Sequence, residues 1–482
     1  MRLYRRILIV LSACVLSACA MVGPDYQPPE TTVLDQWHTP LEGGLTPGTP
    51  PPQSLSRWWS VFSDPVLSDL IEQALAANLD LKQAQARVKE ARAARGVSRA
   101  DQFPAVIASA SGRKSRSSKN VGSGRESEVY DAGFDASWEI DLFGGIRRSV
   151  EAAQADLEAS RESLHDTLVS LLAEVARNYV QARTLQNRLD VAQANLKSQE
   201  ETYQITQSKF EAGLSSELPL QQALYNLSNT RSTIPTLKTS LEAAKNRLAV
   251  LVGRSPGEVH AQLAEHRPVP VTPATVAVGI PADVLRQRPD IRQAERELAA
   301  QTARIGVATA EKYPSIQLTG SIGLQALTTG DLFTTRSRTW SYGPSINLPI
   351  FKGGAIRSNI AVQTAKQEQA LFQYRATVLS ALEEVENNLS AYEDEQVRRQ
   401  FLISAKGAAQ RAANLARDQY KAGLVDFTSV LEAQRSLLSF QDQLAQSEGT
   451  VTTNLISLYK SLGGGWTVSD PSQNHIPSES IR

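Results

Sequence analysis

The stretch Tyr130-Asp131-Ala132-Gly133-Phe134-Asp135-Ala136-Ser137-Trp138-Glu139-Ile140-Asp141-Leu142 alternates between two alphabets. Its even positions are apolar or small and its odd positions are polar, acidic or glycine. A period of two puts the two sets on opposite faces of a β-strand. Two later runs repeat the pattern. Ile316, Leu318, Ile322 and Leu324 alternate with Ser315, Gln317, Thr319 and Ser321, and Trp340, Tyr342, Ile346 and Leu348 alternate with Ser341, Gly343, Ser345 and Asn347. A fourth, weaker run starts at Pro104 and is mostly small residues. The predicted strands are therefore 104–116, 128–142, 314–327 and 338–350. The alternating run within each, about 10–13 residues, matches the length that a tilted strand needs to cross a bilayer core. Trp138, Trp340, Tyr130 and Tyr342 would suit an interfacial girdle. Asp131, Asp135, Glu139 and Asp141 would then line water, as the lumen charge of a pore. A soluble sheet packed on helices is the competing reading.

Four strands cannot close a membrane barrel, and unpaired edges do not survive in lipid. Spanning strands would have to be pooled by several chains: eight from a dimer, twelve from a trimer.

The rest of the chain is written twice. Asn78-Leu79-Asp80-Leu81 returns as Arg288-Pro289-Asp290-Ile291, and Lys209 to Leu214 returns as Gln419 to Leu424, each 210 residues later. Phe103-Pro104 with Tyr313-Pro314, and Leu248 to Gly253 with Leu458 to Gly463, keep the same offset. So long a period signals a duplicated domain, not a solenoid. Each copy predicts a helix of some thirty residues (about 64–101 and 281–311), two strands, a very long helix (about 146–211 and 354–421), an Ala-Gly-Leu turn and a shorter helix (about 217–252 and 426–462). Leu164, Leu168, Leu171, Val175, Ala182, Leu185, Leu189, Ala192 and Leu196 keep a 3–4 spacing, with Tyr179 one place out of step. That spacing predicts coiled-coil packing along a rod of roughly 90–100 Å. The long helices are rich in Ala, Gln, Glu and Arg, which makes them water-facing rather than transmembrane.

The start of the chain reads as an address. Arg2, Arg5 and Arg6 precede a short apolar run, Ile7 to Leu16, too short to span a bilayer and suited to a signal peptide. It ends in Leu16-Ser17-Ala18-Cys19, which resembles the bacterial lipobox. That resemblance implies cleavage before Cys19 and a diacylglycerol and N-acyl lipid on it, and no other cofactor. The next residue is Ala20 rather than Asp, which by the same resemblance favours sorting to the outer membrane. The only cysteines are Cys14 and Cys19, so a disulfide framework or a cysteine-ligated zinc site is not expected. The 50 basic and 50 acidic residues give no field to attract nucleic acid. His38, His165, His260, His266 and His475 show no metal-ligand spacing, and no nucleophile–base or phosphate-cradling motif appears, so an enzyme is not expected.

With these features the chain resembles the outer-membrane factors, the trimeric exit ducts of Gram-negative tripartite efflux pumps and type I secretion systems, and above all their lipidated branch. The carriers are Val22-Gly23-Pro24-Asp25-Tyr26, the Trp58-Trp59 pair, Arg286-Gln287-Arg288-Pro289-Asp290-Ile291, the two Ala-Gly-Leu turns and Ser461-Leu462-Gly463-Gly464-Gly465-Trp466. The resemblance implies a mainly α fold with a transmembrane β-barrel: a homotrimer with a twelve-stranded barrel in the outer membrane above a periplasmic α-barrel. It also implies a periplasmic adaptor (membrane fusion protein) and an inner-membrane RND-type pump as partners. The expected division is a leader at 1–18, a lipidated extended segment at 19–60, a first repeat at 61–253, an equatorial linker at 254–280, a second repeat at 281–463 and a tail at 464–482.

The family closes its periplasmic end near the start of the last helix. The corresponding residues here are Thr428, Ser429, Glu432 and Arg435. Glu432 stands where an Asp is usual and Thr428 where the lipidated relatives have a leucine. Arg435, three residues on, is near enough to pair with Glu432 on one helix. The turns imply adaptor-docking tips at Lys209, Gly213, Leu214, Lys421, Gly423 and Leu424. Arg113, Lys114, Arg116, Lys119 and Arg125 crowd the first strand-to-strand loop. An exit duct for drugs or other small molecules is the leading expectation. A duct for type I protein secretion and a non-channel coiled-coil envelope lipoprotein are the alternatives.

Overall fold

The computed structural model describes residues 21–30, 35–48 and 55–466. Cys19 and the leader lie outside the described residues, as does the tail beyond Trp466. The chain forms two compact units. One takes in residues 21–30, 86–162 and 292–376; the other takes in 35–85, 163–291 and 377–466. Both units draw on both sequence repeats, so the units of packing cut across the units of duplication.

In the second unit, α1 (Pro65–Ala77) starts where Asp64 accepts hydrogen bonds from the N–H groups of Val66 and Leu67, with Pro65 at the first helical position. The thirty-residue helix predicted here is in fact two. α1 stops at Asn78, whose side-chain oxygen accepts from the Leu81 N–H at 2.9 Å and so starts α2 (Leu79–Ala100) afresh. Asn78 Nδ2 donates to the Leu251 carbonyl, which ties the break to the end of the shorter helix. The second copy breaks at the equivalent Arg288, between α5 (Pro281–Gln287) and α6 (Pro289–Ala310). There the cause is Pro289, which disfavours helical geometry in the residue before it.

The long helices are α3 (Gly145–Glu211) and α7 (Ala355–Lys421), 67 residues each, followed by α4 (Glu217–Leu251) and α8 (Phe427–Ser461), 35 residues each. The stripe on α3 is buried at Leu171, Val175, Ala182, Leu185, Leu189 and Ala192. Tyr179, out of step in the heptad, is fully buried because it works as a polar tie: its hydroxyl donates to Asp64 at 2.6 Å and accepts from Arg183 Nε. The main core gathers these residues with Trp58, which stacks on Tyr459 at 5.6 Å. A short parallel pair, β1 (Leu45–Pro47) with β4 (Val276–Val278), joins the N-terminal segment to the linker.

The first unit is built on one antiparallel sheet: β2 (Ala105–Arg116), β3 (Glu126–Ile140), β5 (Ser315–Ala326) and β6 (Arg338–Asn347), in that spatial order. The register puts Ala108, Phe134, Ile322 and Trp340 in one row and Ile107, Asp135, Ser321 and Ser341 in the next. The alternation read from the sequence is therefore the real two-faced pleat. Trp340 and Tyr342 stack on each other in middle rows of the sheet, not at a rim as a girdle would require. Among the described residues no helix is long and apolar enough to cross a membrane.

Candidate functional site

The sheet presents its apolar side to solvent. Phe134, Ile322, Trp340 and Ile346 are all exposed, with Trp340 at 72% and Ile346 at 70%. β2 and β6 each have one partner strand, so both edges of the sheet have open ladder groups within the chain. An apolar face of this size between two open edges is unstable in water and marks an association surface.

The opposite face is a hydrogen-bonded polar ladder. Asp131 accepts from Gln325 Nε2 at 2.6 Å and from Ser111 at 3.4 Å. Asp135 accepts from Ser109 at 3.1 Å, and Ser321 bonds Ser341 at 2.8 Å. Glu139 is exposed on the same strand. Asp141 departs from the expected row. β3 ends at Ile140, and Asp141 accepts from the Arg147 N–H at 2.9 Å and pairs with its guanidinium at 3.2 Å, at the first turn of α3. It is a helix-end carboxylate already neutralised, and its period-two position in the sequence concealed that.

At the other end of α3 the chain reverses through Gly213, with φ of +72°, and α7 reverses through Gly423, with φ of +75°. Both turns close with the same pair of bonds. Gly213 N–H donates to Phe210 and Leu214 N–H to Lys209; Gly423 N–H donates to Tyr420 and Leu424 N–H to Gln419. This is the Schellman closure, in which the left-handed residue is favourably glycine. The residue after the glycine normally packs back on the helix. Here it does not: Leu214 is 78% and Leu424 75% exposed. Lys421 is exposed beside them. Lys209 is not a free tip residue, because its ammonium donates to the Tyr420 carbonyl at 2.6 Å and lies over the Tyr420 ring. Tyr420, with Phe427, Val430 and Leu431, forms a small core that fastens the two hairpins together. Sequence reading missed Tyr420, although its repeat partner Phe210 was visible at the same offset.

The first turns of α8 separate two faces. Phe427, Val430, Leu431 and Gln434 are buried, while Thr428, Ser429, Glu432 and Arg435 are exposed. The expected pair between Glu432 and Arg435 does not form. Arg435 turns to α4 instead, where Nε donates to Asn226 Oδ1 at 3.4 Å and the guanidinium lies 5.1 Å from the Tyr225 ring centroid. A planar guanidinium gains more from stacking and an amide acceptor than from an exposed ion pair. Glu432 therefore stands in the open row with Thr428 and Ser429, without a cationic partner. Among the described residues no group of three or more His, Cys, Asp or Glu side chains is placed to hold a metal ion.

The family model described as "Outer membrane efflux protein" matches this chain twice, over residues 70–254 and 280–464. Nodulation protein T of Rhizobium leguminosarum bv. trifolii is 35% identical over 443 residues, covering 91% of this chain and 92% of that protein. The probable efflux pump outer membrane protein TtgC of Pseudomonas putida is 32% identical, covering 95% of each chain. Among solved structures, the outer-membrane channel OprN superposes with a TM-score of 0.87 at 37% identity, over 93% of this chain and 100% of that one.

Proposed function

The chain belongs to the outer membrane efflux protein family, and from that premise we propose that it is the exit duct of a tripartite pump, assembled from three copies. In this reading the three four-stranded sheets pool into one twelve-stranded barrel, β2 of each copy pairing with β6 of the next. The apolar faces meet lipid, and the Asp131–Asp135–Glu139 faces line the lumen. The observation that carries it is the sheet itself: exposed Phe134, Ile322 and Trp340 on one side, and two open edges that lipid does not tolerate. Eight strands from a dimer would close a ring only wide enough for side chains to fill, whereas twelve leave a water-filled passage.

The cargo is small molecules handed over from an inner-membrane RND-type pump through a periplasmic adaptor. The exposed Leu214 and Leu424 at the hairpin tips are the contacts offered to that adaptor, with Lys421 beside them. Thr428, Ser429 and Glu432 form the periplasmic gate. Cys19 carries the lipid.

The deciding experiment is the mass of the detergent-extracted protein by light scattering, corrected for bound detergent. A trimer is expected. A monomer would leave the sheet edges open and exclude a spanning barrel, leaving a non-channel lipoprotein.

A further inference from the structure

Arg148, in the first turn of α3, is buried to 1% side-chain exposure, yet its charge is directed at a segment distant in sequence. Nη2 pairs with Asp25 at 2.6 Å, Nε donates to the Val22 carbonyl at 3.2 Å, and Nη1 pairs with Glu151 on its own helix at 2.7 Å. A buried cation persists only where its donors are matched, and the match to Val22 and Asp25 is made by the extended segment that follows Cys19. The fit is also steric. Gly23, with φ of +91°, lies directly against the backbone of Gly306 on α6, and a Cβ on Gly306 would fall 2.8 Å from Arg148 Cγ and Cδ. Gly306 thus leaves room for both the arginine stem and the segment.

Two further contacts close the groove. Val22 N–H donates to the Phe143 carbonyl at 3.1 Å. Tyr26 packs on Ala155, Ala299 and Ala300, and its hydroxyl donates to Glu295 at 3.0 Å. Residues 22–26 are therefore held at both ends and in the middle, which a loose leash does not require.

Met21 abuts Gly144, in the turn that leaves the sheet. Around that end of the sheet lie Phe143 stacked on Tyr313, and exposed Phe103, Ile350 and Phe351. Aromatic and apolar residues at a strand end are the mark of a membrane interface. Only Ala20 separates Met21 from Cys19 in the sequence.

We propose that residues 21–26 are a mooring that fixes the lipid anchor at the rim of the sheet, and that Arg148 is its positioning residue. The acyl chains and the strands then enter the outer membrane as one body at one depth, and the lipid sets that depth rather than serving as a slack tether. This rests on the reading of Cys19 as lipid-bearing.

The test uses the full-length protein with Met21→Cys labelled by a nitroxide, and a second labelled variant, Lys312→Cys, as a report on the fold of the same unit. In mature lipidated protein the introduced thiol is the only free one. Three reactive thiols per chain would reject the lipidation reading, while the line shape at Met21 tests the mooring separately. An immobilised spectrum at Met21 is expected in the parent. In Arg148→Ala the immobilised component is lost, with the Lys312 spectrum unchanged, and Arg148→Lys keeps part of it because it restores a charge but not the fork. Asp25→Ala, which leaves the Arg148–Glu151 pair intact, also mobilises Met21. A mobile label in the parent, no change on Arg148→Ala, or loss of order at Lys312 alongside Met21 would each overturn the proposal.

Discussion

Lys209 at the end of α3 and Tyr420 at the end of α7 hold the two hairpins of one chain together, through an ammonium-to-carbonyl bond of 2.6 Å and a cation–π contact of 3.9 Å. A hydrogen bond from a charged donor contributes about 1.5–3 kcal/mol, and a partly exposed cation–π contact about 0.5–2 kcal/mol. The cost of ordering the lysine side chain is set against both. Lys209→Met keeps the stem and removes the charge. It is expected to weaken the local fastening by about 1–3 kcal/mol, seen as roughly 5- to 150-fold faster amide exchange over residues 203–211 and 416–427. Unchanged exchange there would show that the Phe427–Val430–Leu431 core alone holds the hairpins.

Glu432 stands clear of Arg435, so three copies brought near an axis would repel one another unless bridged by a cation. If this row is the gate, Glu432→Ala removes both the steric bulk and the ring of charge, and the closed-state leak conductance in planar bilayers rises. Arg435→Ala leaves the leak smaller than in Glu432→Ala, since Arg435 contacts α4. A leak unchanged by Glu432→Ala takes this residue out of the gate.

Asp166, half-buried on α3, makes stability depend on pH. Burial first, then the Asp290 carboxylate, pushes its carboxyl above the usual aspartate value, against the pull of Lys460 and Arg288. Its neighbours form a tight network: Arg288 donates to Asp290 at 2.7 Å and to Glu384 at 2.8 Å. As pH rises, the unfolded chain releases the proton near the ordinary value of about 3.9 and the folded chain holds it longer. Stability contributed by this site therefore falls through the interval between the two values and stays low above it. Asp166→Asn is expected to lengthen the thermal inactivation half-life at pH 7, with the gain shrinking towards pH 4. A gain that grows on acidification would contradict this sign.

Much of the fold was legible in the sequence because the duplicated landmarks and the period-two runs are local signals. The four strands, the long helices and both glycine turns follow from spacing, while the strand ends do not: β3 stops at Ile140 and β6 at Asn347. The break at Asn78 was not legible, because its cause is a distant partner, the Leu251 carbonyl, together with a side-chain cap that any polar residue could have left unmade. At Arg288 the cause is local and legible, because Pro289 disfavours helical geometry in the residue before it. The site residues split in the same way. Exposure of Thr428, Ser429 and Glu432 follows from helical periodicity, whereas the destinations of Lys209, Arg435 and Asp141 depend on which neighbour lies nearest. Arg148 gave no signal at all, since a buried arginine and a surface one read alike.

The two faces of the sheet respond in opposite ways to charge. Ile322 lies mid-strand in the apolar row with Phe134 and Trp340. Ile322→Arg, if the row faces lipid, costs about 2–4 kcal/mol per copy at mid-bilayer depth and should sharply reduce the amount of protein recovered in the outer-membrane fraction. Asp135→Asn, on the polar face, should leave that recovery unchanged and lower the cation preference of the open pore in reversal-potential measurements. Equal recovery of Ile322→Arg would mean that the apolar face is covered by protein rather than lipid.

Gly449 on α8 faces Thr184 on α3 so closely that a Cβ would run into the Thr184 hydroxyl, which is itself engaged with the Val180 carbonyl at 2.8 Å. Both residues lie within the second unit, and Thr184 is buried. Gly449→Ala raises helix propensity by about 1 kcal/mol, but overpacking at a closed contact costs about 1–3 kcal/mol. The net expectation is a destabilised helix pair and a lower thermal inactivation temperature. Thr184→Ala alone loses a methyl and a local hydrogen bond. Combined with Gly449→Ala, it removes the colliding atoms, so the double variant should recover most of the loss, with a coupling of about 0.5–3 kcal/mol. Strictly additive effects of the two substitutions would mean that the helices separate rather than collide, and that this contact does not set their spacing.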